Sequence, residues 1–316
     1  MGPSSRRDDV QEAVAPKNVT LAQAGIQCRS TTARDSAARL SIATTEKHNG
    51  DKQIMDLGIK GRTALVCGAS KGLGRACAEA LLREGVNVTI VARDAATLET
   101  ARADLQKIAA DTGASVQAVA CDITTPEGRA QALAACPSPD ILVTNAGGPP
   151  PGDFRQFGLD DWRRAVENNM LTPIDLIKST VDGMIARRFG RIINITSSSV
   201  KAPIKSLDLS GGARSGLTGF IAGIARETVA HNVTVNNLLP GSFATDRLVG
   251  MVGKLAAAQG KSADDLIAAG QQAIPARRYG DPKEFGAYCA FLCSAQAGYI
   301  TGQNLLIDGG NYPGVF

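Results

Sequence analysis

Two short stretches hold the residues whose types and spacing could do chemistry. The first, CGASKGLGRA, sets glycines at 68, 72 and 74 around Ser70, Lys71 and Leu73. Such a spacing lets the backbone turn tightly and approach a pyrophosphate. A helix opening just after it offers free N–H groups and partial positive charge. The second, NITSSSVKAPIKSLDLSGGARSG, runs from Asn194 to Gly216 and carries Ser197, Lys205, Asp208, Ser210 and Arg214. A serine hydroxyl titrates far above neutral pH and a guanidinium stays protonated, so neither shuttles a proton readily. What the set offers is electrostatic. The fork of N–H donors on Arg214 can hold a negative oxygen, and Ser197 and Ser210 can hold a water. Asp208 would act as an acid only with a strongly raised pKa, and both it and Lys205 are expected to be solvated loop charges. His48 and His231 lie far apart without ligand spacing, so no metal site is expected.

These residues must be positioned by the elements around them. From Arg62 onward, short apolar runs alternate with helical patterns. RTALVC, VNVTIVA, SVQAVACD, DILVTNAGG, GRIINITS, NVTVNNLLPG and GQNLLIDGG read as strands. Between them lie GRACAEALLREG, a segment capped by Asp94 and stopped by Gly113, one with Pro126 near its start, and a long segment bent near Pro173. GARSGLTGFIAGIARETVAH and DPKEFGAYCAFLCSA follow as further helices. Such alternation requires crossover connections. The fold class is therefore α/β, a single doubly wound Rossmann domain over residues 55–316, its mostly parallel sheet covered by helices on both faces. The glycine stretch falls at the end of the first strand, where a dinucleotide would bind.

The spacing G-x-x-x-G-x-G resembles the glycine motif of the short-chain dehydrogenase/reductase superfamily. Five further pieces resemble that family in order and spacing: CDIT at 121–124, TNAGG at 144–148, VENNML around Asn169, LLPGSFAT, and YITGQNLLIDGG. The flavour is that of 3-oxoacyl-carrier-protein reductase-like members. The resemblance implies that Asp122 and Ile123 meet the adenine, and that Asn145, Ala146 and Gly147 follow the fourth strand along the cofactor. It implies that Pro240, Gly241 and Thr245 form the cofactor loop. It also implies a catalytic serine at Ser197 and a relay asparagine at Asn169. Thirteen residues after Ser197 the family places a tyrosine, and four further on a lysine; here those positions hold Ser210 and Arg214. The four tyrosines of the chain, at 279, 288, 299 and 312, match no part of the motif.

The second strand ends in Ala92 and Arg93 rather than a carboxylate, and Lys71 adds a second cation. The cofactor is read as NADP(H) in preference to NAD(H), with Asp94 as a helix cap. Three accounts of function stay open. Carbonyl reduction proceeds with a surrogate donor, Arg214 stabilising the oxyanion and holding the ribose; or Asp208 or Lys205 is the acid; or the protein is a catalytically silent NADP(H)-binding sensor or partner subunit. The first is preferred because Ser197 and Asn169 are retained. The substrate is then a small carbonyl or alcohol, an apolar ketone or an acyl thioester such as a 3-oxoacyl group.

The bulk properties fit. The chain has 316 residues, a net charge of +4 and 4% aromatics, and neither a nucleic-acid nor a membrane partner is expected. Seven cysteines without a C-x-x-C pair read as reduced thiols of a cytoplasmic protein. Residues 1–54 are rich in Ser, Thr, Arg and Asp and are expected to be a disordered extension. Residues 245–275 read as a helical lid on the substrate side, its inner face formed by Leu248, Met251, Val252, Leu255, Leu266 and Ile267. Small residues along GLTGFIAGIA permit close helix approach, and a homodimer or homotetramer is expected.

Overall fold

Side chains along β1 (Thr63–Cys67) divide by parity. Ala64 and Val66 enter one apolar cluster, Leu65 and Cys67 another on the opposite face. That is the physical reason the strand reads as a continuous apolar run: both faces of the sheet are covered. Full burial of a leucine contributes about 1.5–3 kcal/mol, and these two clusters supply the core. The computed structural model describes residues 55–315; the extension expected over 1–54 lies outside the described residues.

The order continues α1 (Gly72–Arg83), β2 (Asn87–Ala92), α2 (Ala95–Thr112), β3 (Val116–Ala120), α3 (Pro126–Ala135), β4 (Ile141–Thr144), α4 (Leu159–Val166), α5 (Thr172–Arg187) and β5 (Gly190–Ile195). It closes with α6 (Asp208–Thr228), β6 (Val233–Pro240), α7 (Asp246–Gln259), α8 (Ala263–Ala273), α9 (Pro282–Cys293) and β7 (Asn304–Ile307). The sheet has seven strands in the order β3-β2-β1-β4-β5-β6-β7, and every pairing is parallel. One face is covered by α1, α2 and α9, whose Leu81, Leu98 and Phe285 join the first cluster. The other is covered through Leu176 of α5 and Ile221 of α6. The chain runs outward from β1 to β3 and returns to β4 beside β1. The crevice at the strand tips between β1 and β4 is thus the topological switch point, where open α/β sheets bind ligands.

Local signals work as their chemistry requires. Asp94 accepts from the Thr97 amide at 2.8 Å and starts α2, which stops at left-handed Gly113. Thr125 accepts from the Gly128 amide at 3.0 Å, with Pro126 in the first turn of α3. Cys77, Cys289 and Cys293 are buried small residues in the core between α1 and α9, where burial pushes the thiols of Cys77 and Cys293 up.

Two local features differ from the sequence reading. The long helix is interrupted not by a proline bend but by a π-helical turn, Glu167–Leu171, just before Pro173. And α6 begins at Asp208, four residues before the expected start, so Ser210 sits in its first turn and is fixed by helical geometry.

Candidate active site

A cleft of about 950 Å³ opens at the strand tips. Of the residues assigned above to the cofactor site, together with Asn169, Ser197, Ser210 and Arg214, all line it except Gly74. Gly74 acts from behind: a Cβ there would lie 2.3 Å from the Gly68 carbonyl oxygen and 2.9 Å from Asn145 Nδ2. Gly68 and Gly72 both take left-handed φ, 59° and 61°, open to glycine at little cost. Asn145 Nδ2 donates to the Gly68 carbonyl at 3.2 Å, tying the tip of β4 to the glycine turn. Ser70, Lys71, Gly72 and Leu73 then form the floor at the first turn of α1.

At the outer end, Lys71 and Arg93 are exposed on the cleft wall. Asp94 is engaged as the α2 cap, and hydrogen bonds from Thr97 hold its carboxyl below its ordinary range. Asp122 Oδ1 accepts from the Thr124 amide at 3.0 Å and its hydroxyl at 2.8 Å. That closes the turn after β3 and sets Ile123 in the wall.

At the inner end, Ser197 follows β5. Its Oγ accepts from the Ser199 amide at 3.1 Å and the Ser199 hydroxyl at 2.9 Å, which leaves its own proton for another partner. Asn169 is buried within the π-helical turn, its Nδ2 donating to Ala165 carbonyl oxygen at 3.3 Å. Arg214 Nη1 donates to Ser210 Oγ at 2.5 Å across one turn of α6. Burial, with the Arg247 guanidinium second, pulls the Arg214 pKa below the usual guanidinium range to about 10; it remains a cation at neutral pH. Pro240, Gly241 and Thr245 line the wall between β6 and α7, Thr245 capping α7 by accepting from the Leu248 amide at 3.4 Å.

Several cleft residues were not foreseen. Arg247, in the first turn of α7, places its guanidinium over Gly148, where an added Cβ would lie 2.9 Å from Nη2. Arg164 lines the rim and is paired with Asp161 at 2.5 Å. A single exposed arginine in a helical stretch carries no sequence signal of this kind; only the fold folds it back over the cleft. Conversely, Lys205 and Asp208 are exposed and do not line the cleft, so the account that made one of them the acid has no geometric support. None of the four tyrosines lines the cleft either. Of the six apolar residues assigned to the inner face of the lid, Leu248 and Met251 reach the cleft. Val252, Leu255, Leu266 and Ile267 do not line it, because α7 presents only its first turn and a half to the opening and α8, which carries the last two, contributes no lining residue. Among the described residues no three His, Cys, Asp or Glu side chains gather as metal ligands, and no helix is long and apolar enough to cross a membrane.

A parallel sheet in this order, with a glycine turn after β1 and a serine after β5 facing one cleft, defines a class of nucleotide-dependent oxidoreductase. Comparison with known proteins agrees. Residues 68–311 match the family model described as Enoyl-(Acyl carrier protein) reductase. The 3-oxoacyl-[acyl-carrier-protein] reductase FabG of Vibrio harveyi is 33% identical over 258 residues, covering 81% of this chain and 99% of that protein. The NADPH-dependent reductase BacG of Bacillus subtilis (strain 168) is 34% identical over 257 residues, covering 79% and 97%. The crystal structure of L-sorbose reductase from Gluconobacter frateurii, complexed with NADPH and L-sorbose, superposes with a TM-score of 0.77 at 28% identity, over 83% of this chain and 100% of that one. The chain belongs to this family, within the short-chain dehydrogenase/reductase superfamily of oxidoreductases.

Proposed function

We propose that the chain is an NADP(H)-dependent carbonyl reductase in which Arg214 and water replace the phenol as the means of handling the nascent alkoxide. The observation that carries this reading is convergence. Asn169, Ser197, Ser210 and Arg214 share one cleft with the glycine turn, and no tyrosine enters it. The cradle fits a dinucleotide, since the space a Cβ would need at Gly68 and Gly74 is already occupied by close backbone and Asn145 packing. Names of relatives that include NADPH-dependent reductases support the choice of cofactor.

In this reading Lys71 and Arg93 hold the 2′-phosphate, and Asp122 and Ile123 flank the adenine. Asn145, Ala146, Gly147, Pro240, Gly241 and Thr245 line the path to the nicotinamide. The bound cofactor supplies a hydride to the carbonyl carbon. Ser197 donates its free proton to the carbonyl oxygen as a hydrogen bond and orients it. Arg214 stabilises the charge that develops on that oxygen, in a site dry enough for the interaction to be strong. Ser197 and Ser210 hold the water that delivers the proton, and solvent replenishes it; the π-helical turn sets Asn169 behind them. The substrate is a small carbonyl compound, an apolar ketone or a 3-oxoacyl thioester, with Leu248 and Met251 as part of its apolar wall. Gly219, Ala222 and Gly223 form an exposed small-residue face on α6, which suits a homo-oligomer.

The test is NADPH binding by calorimetry, followed by NADPH oxidation over a panel of ketones and 3-oxoacyl thioesters. Binding with turnover supports the reading. Binding without turnover across the panel assigns the chain to the silent sensor or partner class. Absence of affinity for both NADPH and NADH overturns the cofactor assignment.

A further inference from the structure

Three arginines are buried among the described residues, and two of them are fully provided for. Arg129, 9% exposed, pairs with Asp175 at 2.5 Å and donates to the carbonyls of Ile123 and Thr124. Arg191, 0% exposed, donates from Nε to the Ser294 carbonyl and from Nη1 to the Gly190 and Asn232 carbonyls; Nη2 donates to the Asn232 side chain. Arg214 is 7% exposed and differs. The one hydrogen bond of its guanidinium among the described residues is to Ser210, a neutral hydroxyl. A guanidinium has five N–H donors, and a buried cation without a counter-charge is expensive.

A second cation stands beside it. Arg247 has no ion pair or hydrogen bond among the described residues, lines the same cleft, and lies near enough to act on Arg214. The carboxylates of the cleft wall are all engaged elsewhere or exposed. Asp94 caps α2, Asp122 closes its turn, Asp161 pairs with Arg164, and Asp246 is exposed at the start of α7. None forms an ion pair with Arg214 or Arg247. Two guanidinium groups lining one cleft, one buried and one exposed, with no protein anion paired to either, form a receptor for an anion from outside. The cofactor does not supply it at this end of the cleft. Its ribose is neutral, and its phosphates belong at the glycine turn and beside Lys71 and Arg93.

We infer that the substrate carries a carboxylate within a few bonds of the reacting carbonyl, bound by Arg247 with Arg214 behind it. This rests on the reductase reading for the carbonyl but not for the anion, and it replaces the uncharged ketone or thioester of that reading with a keto acid. Arg214 is placed at the reacting oxygen, so its charge serves both; Arg247 is the residue that selects for the carboxylate. A remote phosphate, such as one at the far end of a thioester arm, lies too many bonds from the carbonyl to satisfy this pair.

The experiment compares acetoacetate and levulinate with their methyl esters, in the whole protein with NADPH. Two readouts are used: kcat and KM for turnover, and calorimetric binding of each acid to the protein saturated with NADP⁺. We expect the acids to exceed the esters about 10- to 100-fold in kcat/KM, the size of a charge-assisted contact, mainly through KM. R247Q should abolish that preference, lowering the acids far more than the esters, and R247K should restore part of it. Equal use of acids and esters, or an equal loss for both in R247Q, overturns the inference. So does an R247Q whose loss is confined to NADPH affinity, which would give Arg247 to the cofactor. If the acids bind the NADP⁺ complex in an Arg247-dependent way but no carbonyl is reduced, the anion site stands and the reductase reading fails.

Discussion

Arg214 donates to Ser210 across one turn of α6 at 2.5 Å. Both side chains line the cleft, and Arg247 stands over the same space. In the proposed reading the pair stands at the two positions where the superfamily motif implies a phenol and an ammonium. Ser210 cannot replace the phenol as a titrating acid, and Arg214 is a cation at neutral pH. Together they exchange an acid for an electrostatic device, a dehydrated cation braced by a hydroxyl.

Replacing Arg214 separates catalysis from stability. R214M keeps the volume and removes the buried charge. Carbonyl reduction should fall by about 10²–10³, the usual loss on removing an oxyanion donor. The melting temperature should hold or rise, because a dehydrated charge without a counter-ion is absent from the variant. Calorimetric scanning alongside NADPH oxidation checks both. A large drop in melting temperature would show that Arg214 is chiefly a structural residue.

Restoring the phenol and ammonium tests whether the geometry was kept. The double variant S210Y with R214K should raise carbonyl reduction by about 10² or more, the typical contribution of a positioned acid. Steady-state kinetics with a ketone that the parent reduces slowly is the measurement. No gain, with NADPH still bound, would mean that the side chain at 210 does not reach the carbonyl.

Cofactor choice should reside in Lys71 and Arg93. Removing both, K71A with R93A, should weaken NADPH by about 10- to 100-fold, as expected for lost charge-assisted contacts, and leave NADH nearly unchanged. Titrations with the two reduced cofactors decide it. No loss for either would mean that these cations are merely solvated, and equal losses that they touch a part common to both cofactors.

The glycine turn is close to its steric limit. G74A puts a methyl 2.3 Å from the Gly68 carbonyl oxygen, which the backbone must yield to accommodate. Overpacking of this kind costs about 1–3 kcal/mol, and it should displace the Gly68–Asn145 contact and with it NADPH affinity. Thermal melts and NADPH titration read the two effects. A variant that binds NADPH as the parent does would remove the turn from the cofactor site.

An alkaline limb should report Arg214 directly. Its pKa is lowered to about 10 by burial first and Arg247 second. Below pH 10 the folded and unfolded chains both carry this proton, and folding bears the cost of dehydrating the charge. Between about 10 and the ordinary guanidinium range only the unfolded chain keeps it, so this cost fades as pH rises. Activity runs the other way: kcat/KM should fall near pH 10 as the oxyanion loses its cation. In R247Q the limb should move to higher pH, because removing a like charge favours the protonated form. Rate profiles of parent and variant make the comparison, and a limb at the same pH in both would belong to another group.

Much of the framework was legible from residue types acting locally. Asp94, Gly113, Thr125 with Pro126, and the glycines at 68, 72 and 74 each encode a backbone event within a few residues. The apolar runs encode strands buried on both faces. Less was visible at the inner end of the cleft. The π-helical turn holding Asn169 carries no local signature that sets it apart from continuous helix. The early start of α6 at Asp208 was hidden by the two glycines after Ser210. Four of the six apolar side chains assigned to the inner lid face do not line the cleft, since helical periodicity gives a stripe but not the angle at which α7 meets the sheet.

The chain's order of strands and helices, its phosphate turn and the positions of Ser197, Ser210 and Arg214 were set by sequence alone, because short-range sterics and hydrophobic period determine them. Which charges share a cleft was decided by tertiary structure. Arg247 is 33 residues from Arg214, and the partners that satisfy Arg129 and Arg191, among them Asp175 of α5 and Ser294 at the end of α9, are distant along the chain, while Arg214 is left with one neutral hydroxyl. Coulomb energy depends on distance through space and on dehydration, and neither is a property of neighbours along the chain.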